Sequence, residues 1–102
     1  MRYLGRISGH GVLQCNGEHI ARAVYDFEGF FKDPVGVTCC GEIQLAAAIL
    51  KDVFGRRDIQ LLTDDDRLLN LTFSGKALLP SSDVAHVDVT GELPATPGSW
   101  RH

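Results

Sequence analysis

No apolar run in this chain approaches the roughly 20 residues a membrane-spanning helix needs. The longest, Leu45 to Leu50, is far too short. The opening residues, Met1-Arg2-Tyr3-Leu4-Gly5-Arg6, contain no apolar core of signal-peptide length. Positive charge is not in excess: 10 Lys and Arg against 13 Asp and Glu give a net charge of −3, and the pI is near 5.7. That balance removes any global attraction for nucleic acid or an anionic membrane. Cysteine is scarce and odd in number, with three residues, of which Cys39 and Cys40 are neighbours and could pair only in a strained ring. Reduced thiols in a cytoplasmic protein are therefore expected. There is no internal repeat, no low-complexity tract and no phosphate-binding loop. Ser8-Gly9-His10-Gly11 lacks the Lys-Ser/Thr ending and the helix such a loop requires.

What is present points to β structure. The 102 residues suit a single domain, and 44% apolar with 23% charged residues suits a packed core. Asn16-Gly17 stands between two strand-like runs, Val12 to Cys15 and Glu18 to Glu28. A type I′ turn needs positive φ at both central residues, and Asn and Gly are the pair that tolerates it, so a hairpin is expected here. Before the turn, Tyr3 to Ser8 forms one strand or the start of a bent strand running to Gln14, with Gly5, Gly9 and Gly11 marking bulges or bends. After it, Ala21, Ala23, Tyr25, Phe27 and Phe31 share an inner face against outer Arg22, Asp26 and Glu28. Val24 and Phe30 break the alternation, which predicts a partly covered or partner-facing outer surface.

Asp33-Pro34-Val35-Gly36 reads as a turn, and Val37 to Leu45 as a strand with Ile43 and Leu45 inward. The period then changes. Ala46 to Phe54 has high helix propensity and places Ile49, Leu50, Val53 and Phe54 on one stripe, with Gly55 suited to the left-handed position that follows. No Ser, Thr or Asn caps its start. Ile59 to Thr63 and Leu68 to Phe73 form a second hairpin around Asp64-Asp65-Asp66-Arg67. Ser74 to Asp83 is a loop. Val84 to Leu93 alternates, with Ala85, Val87, Val89 and Leu93 inward and His86, Asp88, Thr90 and Glu92 outward. The expected fold is mainly β, bordering on α+β: a small antiparallel curved sheet or barrel of about six strands with one short helix near 46–54. It forms a single domain over 1–93, with a flexible tail at 94–102 unless Trp100 docks it. Edges this short must be hidden, by closure or by pairing two copies.

The candidate chemistry is thin. Asp64-Asp65-Asp66 lacks the alternating oxygens, the glycine and the distant Glu of a calcium loop, and reads as a solvated turn. Cys15, Cys39, Cys40, His10, His19 and His86 are scattered, without the short paired spacings of a zinc site. The metal reading reduces to convergence of His10, Cys15 and one further ligand. A thiol enzyme would pair Cys39, Cys40 or Cys15 with His10 or His86. His86 and Asp88 share one strand face, where a weak surface pair is expected. A strand-binding barrel of the nucleic-acid type needs aromatic platforms beside a basic groove, but Tyr3, Tyr25, Phe27, Phe30 and Phe31 fall mainly on the inner face, and the basic residues cluster only at Arg56-Arg57. No catalytic, cofactor-binding or metal residue is assigned, and no cofactor is implied. The expectation is a small non-enzymatic cytoplasmic β domain that binds a protein partner or small ligand, with self-association through Val24, Phe30, Phe31 and Leu62 left open. The alternatives are a thiol-dependent Cys/His enzyme and a single-stranded nucleic-acid binder, the latter disfavoured by charge. No membrane association is expected.

Overall fold

A computed structural model describes residues 2–33, 36–75 and 81–91. Six antiparallel strands close into a barrel, joined in the order β1-β2-β3-β6-β5-β4. They are β1 (Arg2–Cys15), β2 (Glu18–Lys32), β3 (Gly36–Gln44), β4 (Ile59–Thr63), β5 (Leu68–Phe73) and β6 (Val84–Gly91), with one helix, α1 (Ala47–Val53), between β3 and β4. The expected barrel with a single helix is the observed fold, and no helix among the described residues is long and apolar enough to cross a membrane.

The Asn16-Gly17 turn forms as its chemistry requires, with φ of 53° and 82°. It starts a hairpin longer than the rest of the barrel: β1 is one strand of 14 residues, bent by register shifts between Tyr3 and Gly5 and between Leu13 and Gln14. Only its last five residues, Gly11 to Cys15, also pair with β4, and that ladder closes the barrel. Tight curvature is possible because Gly11 and Gly41 have no side chain. A Cβ on Gly11 would lie 2.6 Å from the Leu62 carbonyl oxygen, and one on Gly41 would lie 2.2 Å from that of Asp26.

Period-two alternation fills the barrel. Ala23, Tyr25 and Phe27 from β2 meet Leu13, Ile43, Ile59, Leu61, Leu69, Leu71, Val87 and Val89, all buried. The helix adds Leu50 and Val53 to this core, while Phe54 stacks at 5.1 Å from Phe73. Ala46 begins it with no side-chain cap, and Gly55 leaves it at φ 87°. Its neighbour Leu45 is buried and donates its N–H to the Asp83 carbonyl at 3.0 Å, tying the helix entry to the start of β6.

Two aromatics, Tyr3 and Phe31, are more exposed than an inner face implies, while Phe30 breaks the alternation as expected. Tyr3 and Phe31 are 44% and 39% exposed, and Phe30 is only half-buried. The bulge after Tyr3 shifts its face. Phe31 keeps inward parity but lies beyond the stretch where opposite strands cover it. Val24 is exposed and Leu62 half-buried on the outside, as expected. Pro34 and Val35 of the expected turn, Lys76 to Pro80 of the expected loop, Glu92, Leu93 and the expected tail with Trp100 lie outside the described residues.

Candidate functional site

Among the described residues no hydrogen bond joins a cysteine to a histidine, the pairing that the alternative of a thiol enzyme would use. Cys39 is buried in the core, and burial, with Cys40 beside it, pushes its thiol up to about 12. Cys40 faces outward between Glu28 and Asp88, its register partners on β2 and β6. Burial first, then those two carboxylates, raise its thiol as well. Among the described residues His86 forms no hydrogen bond or ion pair with Asp88. Its Nδ1 lies 2.6 Å from the Ser74 hydroxyl, because the chain leaving β5 folds back beside β6, where the Ser74 N–H also bonds the His86 carbonyl. His10 does not join Cys15, and among the described residues no three His, Cys, Asp or Glu side chains stand together to hold a metal. The aspartate run is a turn held from within. Asp66 adopts φ 65°, Asp65 accepts a hydrogen bond from the buried Thr63 hydroxyl, and the Thr63 Oγ1 takes the Arg67 N–H at 2.9 Å. Asp64 meets Arg22 through a two-pronged pair at 3.0 and 3.1 Å, which holds its carboxyl below the usual range.

Polar groups converge instead at the Asn16 turn. The segment leaving α1 passes this turn before entering β4, so Arg56 and Asp58 meet Cys15, the last residue of β1. The Cys15 thiol donates to Asp58 Oδ2 at 2.9 Å, and the Asn16 amide donates to the same oxygen at 3.1 Å. Arg56 donates to Cys15 Sγ at 2.8 Å and pairs with Asp58 Oδ1 at 3.4 Å. The hydrogen bond to Asp58 raises the Cys15 thiol, burial adds to this, and Arg56 only partly opposes it. Asp58 is held low, mainly by the same thiol hydrogen bond. The result is a protonated thiol, a poor nucleophile, acting as a donor in a local lock. Cys15 and Asp58 are 43 residues apart in sequence, so no local pattern could have announced the contact.

Beside this lock lies a cleft of about 300 Å³ lined by Asn16, Arg57, Asp58, Ile59, Gln60, Asn70, Leu71 and Thr72. Gln60 and Asn70 are register partners on the outer face of β4 and β5, and Gln60 Nε2 donates to Asn70 Oδ1 at 2.9 Å. Arg57 forms no ion pair among the described residues. A second cleft of about 250 Å³ lies on β2, β3 and β6, lined by Val24, Tyr25, Asp26, Glu42, Ile43, Gln44 and Val84. Its Asp26 is already held by Arg6 at 2.6 Å.

No protein-family model, curated protein or solved structure matches this chain.

Proposed function

We propose that this barrel is a non-enzymatic binding domain and that the cleft beside the Asn16 turn takes a small ligand. The observation that carries this reading is the gathering of Arg57, Thr72 and the Asn70 amide, whose oxygen alone is engaged, by Gln60, around one concave surface braced by strand ladders. The neighbouring thiol is raised by its hydrogen bond to Asp58, and among the described residues its hydrogen-bond partners are Asp58 and Arg56 with no imidazole, which supports recognition over thiol catalysis. Amide shifts of labelled protein, followed during a screen of neutral, anionic and cationic small molecules, test the reading. At least one compound is expected to move Asn16, Asn70 and Thr72 saturably. A screen in which these amides never respond would contradict it.

A second reading, docking of a protein partner or a second copy, draws on the far end of the hairpin. Tyr3 and Phe31 are exposed there, Tyr3 lies 5.5 Å from Phe30, and Arg2 sits over the Phe31 ring. The same aromatics bear on the nucleic-acid alternative. The nearby cations Arg2, Arg6 and Lys32 are matched in number by Asp26, Glu28 and Asp33, which leaves no positive groove to follow a phosphate backbone. Sedimentation at low micromolar concentration separates a self-pairing chain from a solitary one.

A further inference from the structure

We infer that the ligand of the Asn16 cleft is an oxyanion, a carboxylate or a phosphate group, gripped chiefly by Arg57. This rests on that cleft being the binding site, and it follows from counting which of the lining groups are already engaged. Asp58, the carboxylate in the lining, is engaged at Oδ2, which accepts from Cys15 and Asn16, and its charge is matched by Arg56 at Oδ1. Gln60 commits an amide hydrogen to the Asn70 oxygen, and the Asn70 amide hydrogens have no hydrogen-bond partner among the described residues. Thr72 adds a hydroxyl, and Arg57 adds a guanidinium whose planar fork fits two oxygens at once.

Asn16, Gln60 and Thr72 keep acceptor oxygens as well as donors, so the charge of Arg57, not the hydrogen-bond count, decides the ligand's sign. Arg56 and Arg57 against Asp58 leave one net positive charge in a chain whose total is −3. The second cleft makes the contrast plain. Its lining holds two carboxylates, Asp26 and Glu42, and no cation. Arg6 matches Asp26 there and Glu42 leaves one net negative charge, so an anion is drawn instead to the Asn16 cleft, where Arg57 is exposed and forms no ion pair among the described residues.

The test titrates labelled full-length protein at constant ionic strength with inorganic phosphate, with acetate, and with acetamide, the neutral counterpart of acetate. Phosphate or acetate is expected to give saturable shifts at Asn16, Asn70 and Thr72, with acetamide leaving them still. Arg57→Gln, a change at an exposed position, is expected to weaken binding roughly tenfold or more. A stronger response to phosphate assigns a phosphate group, and a stronger response to acetate assigns a carboxylate. Equal response to acetamide and acetate, undiminished binding by Arg57→Gln, or silence toward both anions would overturn the inference. If a neutral compound moves these amides while both anions do not, the cleft remains a binding site and only its anion selectivity is wrong.

Discussion

At its turn, the β1–β2 hairpin is locked by Cys15, Asn16, Arg56 and Asp58, and its backbone is paired on both sides, to β2 and to β4. At its other end the same two strands carry Tyr3, Phe30 and Phe31 outward or half outward, and β1 from Arg2 to His10 pairs in the described sheet with β2 alone. One end fixes directional donors in place. The other offers apolar area and balanced charge. Geometry this different suits different occupants: a small polar molecule needs preset hydrogen-bond partners, whereas aromatic area without fixed donors suits a protein surface.

The largest expected effect separates two phenylalanines of one strand. Phe27 is fully buried in the barrel, so Phe27→Ala is expected to lose about 4 kcal/mol of stability. Phe31→Ala, at the exposed end, is expected to lose about 0.5 kcal/mol. Urea unfolding of both variants checks this, and equal losses would erase the distinction between the ends. Gly41→Ala comes next. Its Cβ would press on the backbone of Asp26 and Phe27, and a loss of about 3 kcal/mol is expected in the same assay.

Alkaline stability gives a third contrast. Cys39 ionises near 9.0 when unfolded and at about 12 when folded. Above pH 9 the unfolded chain therefore sheds a proton that the folded chain keeps. Stability contributed by the neutral thiol is complete below pH 9 and declines by at most about 1.4 kcal/mol per pH unit up to pH 12. Cys39→Ala is expected to shift this alkaline limb of the unfolding free energy, while Cys15→Ala, at the turn, leaves the Cys39 share in place.

The smallest effect is on the lock itself. Asp58 is the first cause of the raised Cys15 thiol, and Arg56 opposes it. Asp58→Asn is therefore expected to speed alkylation of Cys15 by iodoacetamide at neutral pH. An unchanged rate would show that burial, not the carboxylate, governs the thiol.

Much of the barrel was legible because it rests on local rules. Asn16-Gly17, the alternation of Ala85, Val87 and Val89, and the alanine-rich start of α1 each specify backbone within a few residues. Tyr3 and Phe31 are more exposed than expected because alternation assigns parity but not cover. A bulge flips one, and the other extends past the strands that would bury it. Residues of the proposed site were less legible still. Arg56-Arg57 stood out only as a small basic cluster, and nothing local links it to Cys15 or Asn70. Closure of β1 onto β4 and passage of the chain from α1 past the turn bring these residues together. His86 illustrates the same limit, since Ser74, from the preceding loop, displaced the carboxylate two positions along its own strand.

The comparison between the ends is tested most directly by removing the same charge from each. Phosphate affinity is measured for wild type, Arg57→Gln and Arg2→Gln at one ionic strength. Recognition at the turn predicts that Arg57→Gln binds roughly tenfold more weakly, while Arg2→Gln matches wild type. Equal weakening in both variants would mean that phosphate senses only overall charge, and the cleft would lose its claim to be the site.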